Sequence, residues 1–190
     1  RCVACHGGHD TGAHDAAGSH LSPARIAQTC GQCHPAEAKE YSESVHGQAA
    51  LAGNEDIAVC ATCHPEHTRL GIGSIEQEGV AAKCVSCHDD PGLQEKYAIA
   101  SNRLASYLGS YHGAATELGD SRTANCASCH ENHHILPSSD PRSSVSPRNL
   151  PYTCGHCHPK AGAHFAEGRI HLQPSPRRDR LVFLVRTGYQ

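Results

Sequence analysis

The stretch Cys126-Ala-Ser-Cys129-His130-Glu-Asn-His133 contains two cysteines three residues apart, a histidine directly after the second cysteine, and another histidine three residues further on. The pattern Cys-x-x-Cys-His, written CxxCH, occurs five more times, beginning at Cys2, Cys30, Cys60, Cys84 and Cys154. Together the six motifs use all twelve cysteines of the 190-residue chain. We therefore expect the fold to be organised around the group that these motifs bind.

The CxxCH motif is the attachment signature of c-type haem. Its two thiols bond to the two vinyl groups of one porphyrin, and its histidine reaches the iron as the proximal ligand. We therefore predict six haem c groups. The predicted attachment residues are Cys2, Cys5, Cys30, Cys33, Cys60, Cys63, Cys84, Cys87, Cys126, Cys129, Cys154 and Cys157. The predicted proximal ligands are His6, His34, His64, His88, His130 and His158.

Paired cysteines also occur in zinc ribbons and in disulfide frameworks. Neither of these structures requires a histidine immediately after every pair. Six such histidines, with no cysteine left over, therefore favour haem attachment over zinc or disulfides.

Large apolar side chains are scarce in this chain. Leu, Ile, Val and Phe account for 29 of the 190 residues, and there is no Trp or Met. Such a composition cannot build an ordinary side-chain core. We expect the apolar faces of six haems to replace it, with a mostly irregular chain and a few short α-helices wrapped around a stacked row of haems. The formal net charge is −3, and haem propionates would add up to about twelve negative charges, so nucleic acid is not an expected partner.

The six motifs fall into three pairs, which indicates an internal repeat. We predict three dihaem modules, over residues 1–53, 54–119 and 120–172, and a C-terminal arm over 173–190. In each module the second motif is followed by a segment that ends in histidine. The first two of these segments share the pattern YxxSxHG, and the third begins with Phe165 instead of tyrosine.

Apolar spacing predicts where helices lie. We predict a longest helix over 93–118 and shorter helices over 36–51 and 160–169. Links rich in Pro, Gly and Ser join the paired motifs, and strands should be scarce. The apolar run 181–185 predicts either a short strand or docking arm on a neighbouring surface, or a lead-in to a membrane helix.

The second axial position of a haem iron decides between electron transfer and chemistry on a small molecule. The absence of Met leaves bis-histidine coordination or open sites. Six histidines hold equivalent positions in the repeats and are the predicted distal ligands: His9, His46, His67, His112, His133 and His171. His134 competes with His133. A histidine three residues beyond the proximal one is poorly placed to loop over its own ring, so we expect His9, His67 and His133 to bind neighbouring haems.

Covalent haem attachment takes place outside the cytoplasmic membrane. We therefore expect a periplasmic or extracellular protein, with membrane association as an alternative. The chain shows no leader peptide, and the position of Cys2 suggests removal or truncation at this end.

The chain resembles the multihaem c-type cytochromes, particularly the periplasmic and outer-surface members of the respiratory multihaem superfamily. The resemblance covers residues 1 to about 172. It rests on the paired CxxCH motifs, on YxxSxHG at 41–47 and 107–113, and on the stretch CASCHENHHILPSSDPRS running into NLPYTCGHCHPK. It implies bis-histidine haems stacked in a chain that pass electrons without transforming a substrate.

Several partners follow from this resemblance. They are redox partner proteins, a membrane quinol-oxidising protein, or further copies of the same chain in an extracellular filament. We expect an electron-transfer protein rather than an enzyme. A multihaem oxyanion reductase is the enzyme alternative, and it would need an open iron, often marked by CxxCK, which the chain lacks.

Overall fold

The computed structural model describes residues 2–9, 13, 16, 18–64, 77–166, 171 and 180–188. These residues form twelve short α-helices and one 3-10 helix, joined by turns and irregular segments, and none of them lies in a strand. The α-helices are Val3–His6 (α1), Ile26–Gly31 (α2), Pro35–Glu43 (α3), Val45–Leu51 (α4), Cys60–Cys63 (α5), Gln77–His88 (α6), Pro91–Tyr97 (α7), Arg103–Leu108 (α8), Tyr111–Glu117 (α9), Cys126–His130 (α10), Leu150–Gly155 (α11) and Arg180–Gly188 (α12). The predicted mixture of short helices and irregular chain is confirmed, although the helices are more numerous than expected.

The single long helix predicted over 93–118 is wrong. Three helices, α7, α8 and α9, cover this region instead. Ala98 ends α7 and Asn102 precedes α8, both in the left-handed conformation, with φ of 52° and 61°. Because a right-handed helix cannot pass through a left-handed residue, the periodic apolar pattern is divided there. The longest helix is α6, with 12 residues.

The helix predicted over 36–51 is divided at Ser44, which separates α3 from α4. Ser44 is extended, and its hydroxyl accepts a hydrogen bond from the Gly47 N–H at 3.1 Å while donating to the Tyr41 carbonyl at 2.6 Å. Ser110 begins α9 with the same two hydrogen bonds. The YxxSxHG pattern therefore encodes a helix end followed by an N-capped helix start.

Two other helix predictions concern the C-terminal part. The described residues of 160–169 contain a 3-10 helix, Ala163–Ala166, and residues 167–169 lie outside the description. The run 181–185 belongs to α12, so the strand alternative is wrong.

The described residues bury few apolar side chains. The buried hydrophobic residues are Ile26, Ala50 and Leu136. Nine polar residues are buried, and eight of them are serines or threonines; the ninth is Asn125. Several large apolar side chains are mostly exposed, including Tyr111 and Leu118. The side chains alone thus form no continuous hydrophobic core of the kind that stabilises an ordinary domain of this length.

The chain divides into two compact units. One contains Arg1–Glu76 and Ala127–Ala161, and the other contains Gln77–Cys126 and Gly162–Gln190. In the first unit α2 packs on α3, and α3 on α4; in the second, α8 packs on α9. The three dihaem modules are a division of the sequence and stay a prediction.

Gly47 lies where its helix approaches the preceding chain, and a Cβ there would overlap the Tyr41 carbonyl. Gly113 meets the Tyr107 carbonyl in the same way. We expect Gly47→Ala to lower the free energy of unfolding by about 1–3 kcal/mol, because backbone must shift to admit the methyl group. Thermal unfolding of the haem-loaded protein measures the loss. Gly18→Ala, where nothing lies within 4 Å, is the control, and equal melting temperatures in the two variants would contradict the prediction.

Candidate haem sites

Each CxxCH motif forms one helical turn. The N–H of the proximal histidine donates to the carbonyl of the first cysteine at 2.9 Å in the motifs that begin at Cys2, Cys30, Cys60 and Cys154. The two remaining motifs lie within α6 and α10. Residues i, i+3 and i+4 share one face of a helix. Both thiols and the proximal histidine of each motif therefore lie on one side of the turn, as attachment to a single porphyrin requires.

None of the twelve cysteines forms a disulfide. Within the described residues, no group of three or more His, Cys, Asp or Glu side chains is arranged to hold a metal ion.

Cysteines of successive motifs influence each other's ionisation at two places, Cys30 with Cys60 and Cys84 with Cys126. The interaction with Cys30, together with burial, raises the pKa of Cys60, whereas the interaction with Cys84 lowers the pKa of Cys126 to about 7. In both pairs the first cysteine of one motif acts on the first cysteine of the next.

A tyrosine is hydrogen bonded to the chain just before Cys60, and another just before Cys126. The Tyr41 hydroxyl donates to the Ala58 carbonyl at 3.0 Å, and the Tyr107 hydroxyl donates to the Ala124 carbonyl at 3.1 Å. Both alanines stand two residues before the first cysteine of the following motif. Burial, and after it the nearby thiols, raises the pKa of Tyr41 to about 12, so its hydroxyl remains a donor at neutral pH. We call each hydrogen bond, Tyr41 to Ala58 and Tyr107 to Ala124, a tyrosine clasp.

The structure brings two predicted ligands from distant motifs together. The ring centres of His64 and His133 are 6.2 Å apart, and their planes are inclined at 27°. This separation is too large for direct face-to-face contact, which places atoms about 3.5–4 Å apart. At this separation both imidazoles would be able to reach one iron placed between them.

Both His133 and His134 lie beside carboxylates. His133 Nδ1 lies 3.8 Å from a Glu40 carboxylate oxygen. The His134 ring lies between two other carboxylates, with Nε2 3.6 Å from Glu43 and Nδ1 3.7 Å from Glu131. The preference for His133 as the ligand therefore rests on its approach to His64 and not on the neighbouring charges.

His46 and His112 occupy matching positions. Each is the second residue of a helix that a serine caps, α4 for His46 and α9 for His112, and each is half-buried. Their equivalence in sequence is thus an equivalence in local structure.

The other distal candidates are in different surroundings. His171 Nδ1 lies 2.8 Å from the Ser106 hydroxyl, and burial together with Arg103 lowers the pKa of His171. Burial also lowers the pKa of His88, which is a predicted proximal ligand. His9 is exposed in the turn after α1. His67 lies outside the described residues.

The chain matches no protein-family model, no curated protein and no solved structure. Residues and their geometry alone therefore support the haem assignment. Among the residues that the structure describes, no helix has the length and apolar character needed to cross a membrane.

Sequence reasoning missed the cysteine pairs and the tyrosine clasps. A signal for them was present, since Tyr41 stands nineteen residues before Cys60 and Tyr107 the same number before Cys126. Equal spacing to the next motif suggests that both tyrosines make the same contact. The partner of each hydroxyl is a backbone carbonyl, and the sequence does not reveal which one because every residue has a carbonyl.

Proposed function

We propose that this chain is an electron-transfer protein that carries six c-type haems with bis-histidine ligation. The separation of 6.2 Å between His64 and His133 is the observation that carries the proposal. It joins the proximal histidine of the third motif to a histidine that follows the fifth. The chemistry of the donor set fits haem as well: six single-turn CxxCH motifs present two thiols and an imidazole on one face each.

The scarcity of buried apolar side chains also supports this proposal. Ile26, Ala50 and Leu136 are too few to stabilise the described fold by their own burial, at about 1.5–3 kcal/mol for each large side chain. Porphyrin faces would supply the missing apolar surface. Exposed rings such as Tyr111 and Tyr152 would then be available to cover it.

The residues of the chain have distinct roles in this function. The cysteines would anchor each haem through thioethers, and paired histidines would bind its iron from both sides, which would leave no coordination site for a substrate. When bound, each haem supplies an iron that takes up and releases one electron. Because the chain contains no Met to raise the potential, we expect the irons to titrate in the low part of the haem range. Attachment of haem c outside the cytoplasmic membrane places this function in the periplasm or outside the cell, with redox proteins as partners.

The mass of the denatured protein tests the proposal. We expect it to exceed the peptide mass by six haems, because twelve cysteines in six motifs are positioned to bind them. The oxidised protein should also be low-spin and should lack the near-infrared band of sulfur ligation. Bound zinc, or fewer than six haems, would refute the proposed function, and a largely high-spin spectrum would favour the oxyanion reductase.

A protomer of an extracellular filament is a second candidate. Helix α12 favours it, because Leu181, Leu184 and Val185 share one face and are 77%, 57% and 54% exposed. Apolar residues grouped on an exposed helix face indicate an interface. A membrane quinol-oxidising protein is the alternative occupant of this face.

Leu184→Asp should reduce association between copies of the chain without changing haem content, because it places a charge on the apolar face of α12. Light scattering and electron microscopy of the purified haem-loaded protein measure association. Leu118→Asp is the matched control, since Leu118 is 89% exposed and stands outside α12. Unchanged assembly in Leu184→Asp, or an equal loss in Leu118→Asp, would count against the filament.

A further inference from the structure

Ser106 lies in α8, and its side chain is buried. Its hydroxyl lies 2.8 Å from Nδ1 of His171, a histidine that stands 65 residues further along the chain. The same hydroxyl donates a hydrogen bond to the Arg103 carbonyl at 2.8 Å. Ser106 therefore ties a predicted distal ligand to α8.

The partners of Ser106 decide which nitrogen of His171 carries the proton. A serine hydroxyl has one hydrogen to donate and two lone pairs that accept. Because the Arg103 carbonyl takes that hydrogen, His171 Nδ1–H donates to the Ser106 oxygen. In a neutral imidazole with Nδ1 protonated, Nε2 keeps the lone pair that binds a metal ion. Ser106 thus selects the tautomer in which Nε2 of His171 can bind iron.

Another copy of the repeat contains a contact of the same kind. Glu40 and Ser106 each directly precede the tyrosine of a YxxSxHG segment. A Glu40 carboxylate oxygen lies 3.8 Å from Nδ1 of His133, which is another predicted distal ligand. In both copies the residue before the tyrosine therefore faces Nδ1 of a histidine from the last predicted module.

The compact unit that contains His171 indicates which haem this histidine serves. The unit consists of Gln77–Cys126 and Gly162–Gln190, and its one complete CxxCH motif is the fourth, which begins at Cys84. Helix α6 carries that motif and packs against α8, which carries Ser106. The sixth motif directly precedes His171 in the sequence, but it belongs to the other unit.

We propose that Ser106 positions His171 as the distal ligand of the fourth haem, whose proximal ligand is His88. The proposal deepens the six-haem function and rests on it. Ser106 touches no iron itself. It acts through His171, because an acceptor at Nδ1 fixes the ring orientation and increases the basicity of the ligating nitrogen.

The third haem has the same relation to the last module. His133 follows the fifth motif, and its ring approaches His64, the proximal histidine of the third motif. His171 follows the sixth motif and would serve the fourth. The last predicted module would then supply the distal ligands of both haems in the middle module.

Removal of single haems from the His171→Ala variant tests the assignment. His171→Ala should leave one haem of six high-spin in the electron paramagnetic resonance spectrum. Replacing Cys84 and Cys87 with Ala in that variant removes the fourth haem, and the high-spin signal should vanish. In the matched control, which removes the sixth haem through Cys154 and Cys157, the signal should remain. The opposite result, with the signal lost only in the control, would overturn the assignment.

A structure of the unsubstituted haem-loaded protein gives the same answer where removal of a haem prevents folding. His171 Nε2 should bind the iron of the haem that is attached at Cys84 and Cys87. Another residue on that iron would overturn the assignment, whereas fewer than six haems would refute the proposed function instead.

Ser106→Ala tests the positioning role. It removes the acceptor of the His171 Nδ1–H, and the less basic imidazole should raise the midpoint potential of one haem and shift its largest g value, with all six haems retained. Ser106→Thr keeps the hydroxyl and should restore both values. Ser121→Ala, at an exposed serine, is the control and should match the unsubstituted protein. Unchanged values in Ser106→Ala, or no recovery in Ser106→Thr, would contradict the positioning role.

Discussion

Replacing His133 with Ala should convert one haem of the six from low spin to high spin. The ring centre of His133 lies 6.2 Å from that of His64, and in the proposed arrangement the variant would remove one axial ligand and leave the proximal His64 in place. An iron that loses a strong axial nitrogen donor becomes five-coordinate or binds water, and its ferric form becomes high-spin. The Glu40 carboxylate beside His133 Nδ1 would orient the ring and increase its basicity as a ligand.

His134→Ala is the matched control for this experiment. It removes a neighbouring imidazole that lies between Glu43 and Glu131, and all six haems should remain low-spin. Electron paramagnetic resonance of the oxidised proteins measures the high-spin fraction. A high-spin signal from His134→Ala alone would make His134 the ligand, and six low-spin haems in both variants would show that another residue serves this iron.

The haem-free chain should not fold. Its described residues bury three apolar side chains, Ile26, Ala50 and Leu136, whereas ordering each residue costs about 1–2 kcal/mol of backbone entropy. Isolated helices shorter than about 12–15 residues are marginal in water, and eleven of the twelve α-helices described have fewer than 12 residues. Neither core burial nor helix propensity can therefore offset the entropy of folding.

Expression without haem attachment, with the thiols kept reduced, provides the material for this test. We expect circular dichroism typical of an unfolded chain and no cooperative thermal transition, whereas the haem-loaded protein should unfold cooperatively. A cooperative transition in the haem-free chain would show that the peptide has a sufficient core of its own.

The sequence predicts which regions are helical, but it predicts the boundaries between helices less well. The apolar spacing over 93–118 correctly indicated helix, but it could not show that Ala98 and Asn102 take left-handed conformations. The start of α9 at Ser110 could be predicted, because serine is a preferred N-cap residue. Its hydroxyl accepts a hydrogen bond from the Gly113 N–H. Periodicity alone therefore predicts one helix where the protein has three.

The same contrast holds for the candidate sites. Attachment residues and proximal ligands lie within five consecutive positions, so one helical turn brings them together whatever the rest of the chain does. His64 and His133 are 69 residues apart in the sequence. Their approach depends on the packing of the whole unit. The repeat predicts only that His133 binds the haem of a motif other than its own.

Each tyrosine clasp joins residues 17 positions apart and encloses one short helix, α4 or α9. A tandem copy of such a segment would therefore carry its own link to the start of the motif that follows it. The segments between Cys30 and Tyr41 and between Cys84 and Tyr107 differ in length, whereas both tyrosines stand nineteen residues before the first cysteine of the next motif.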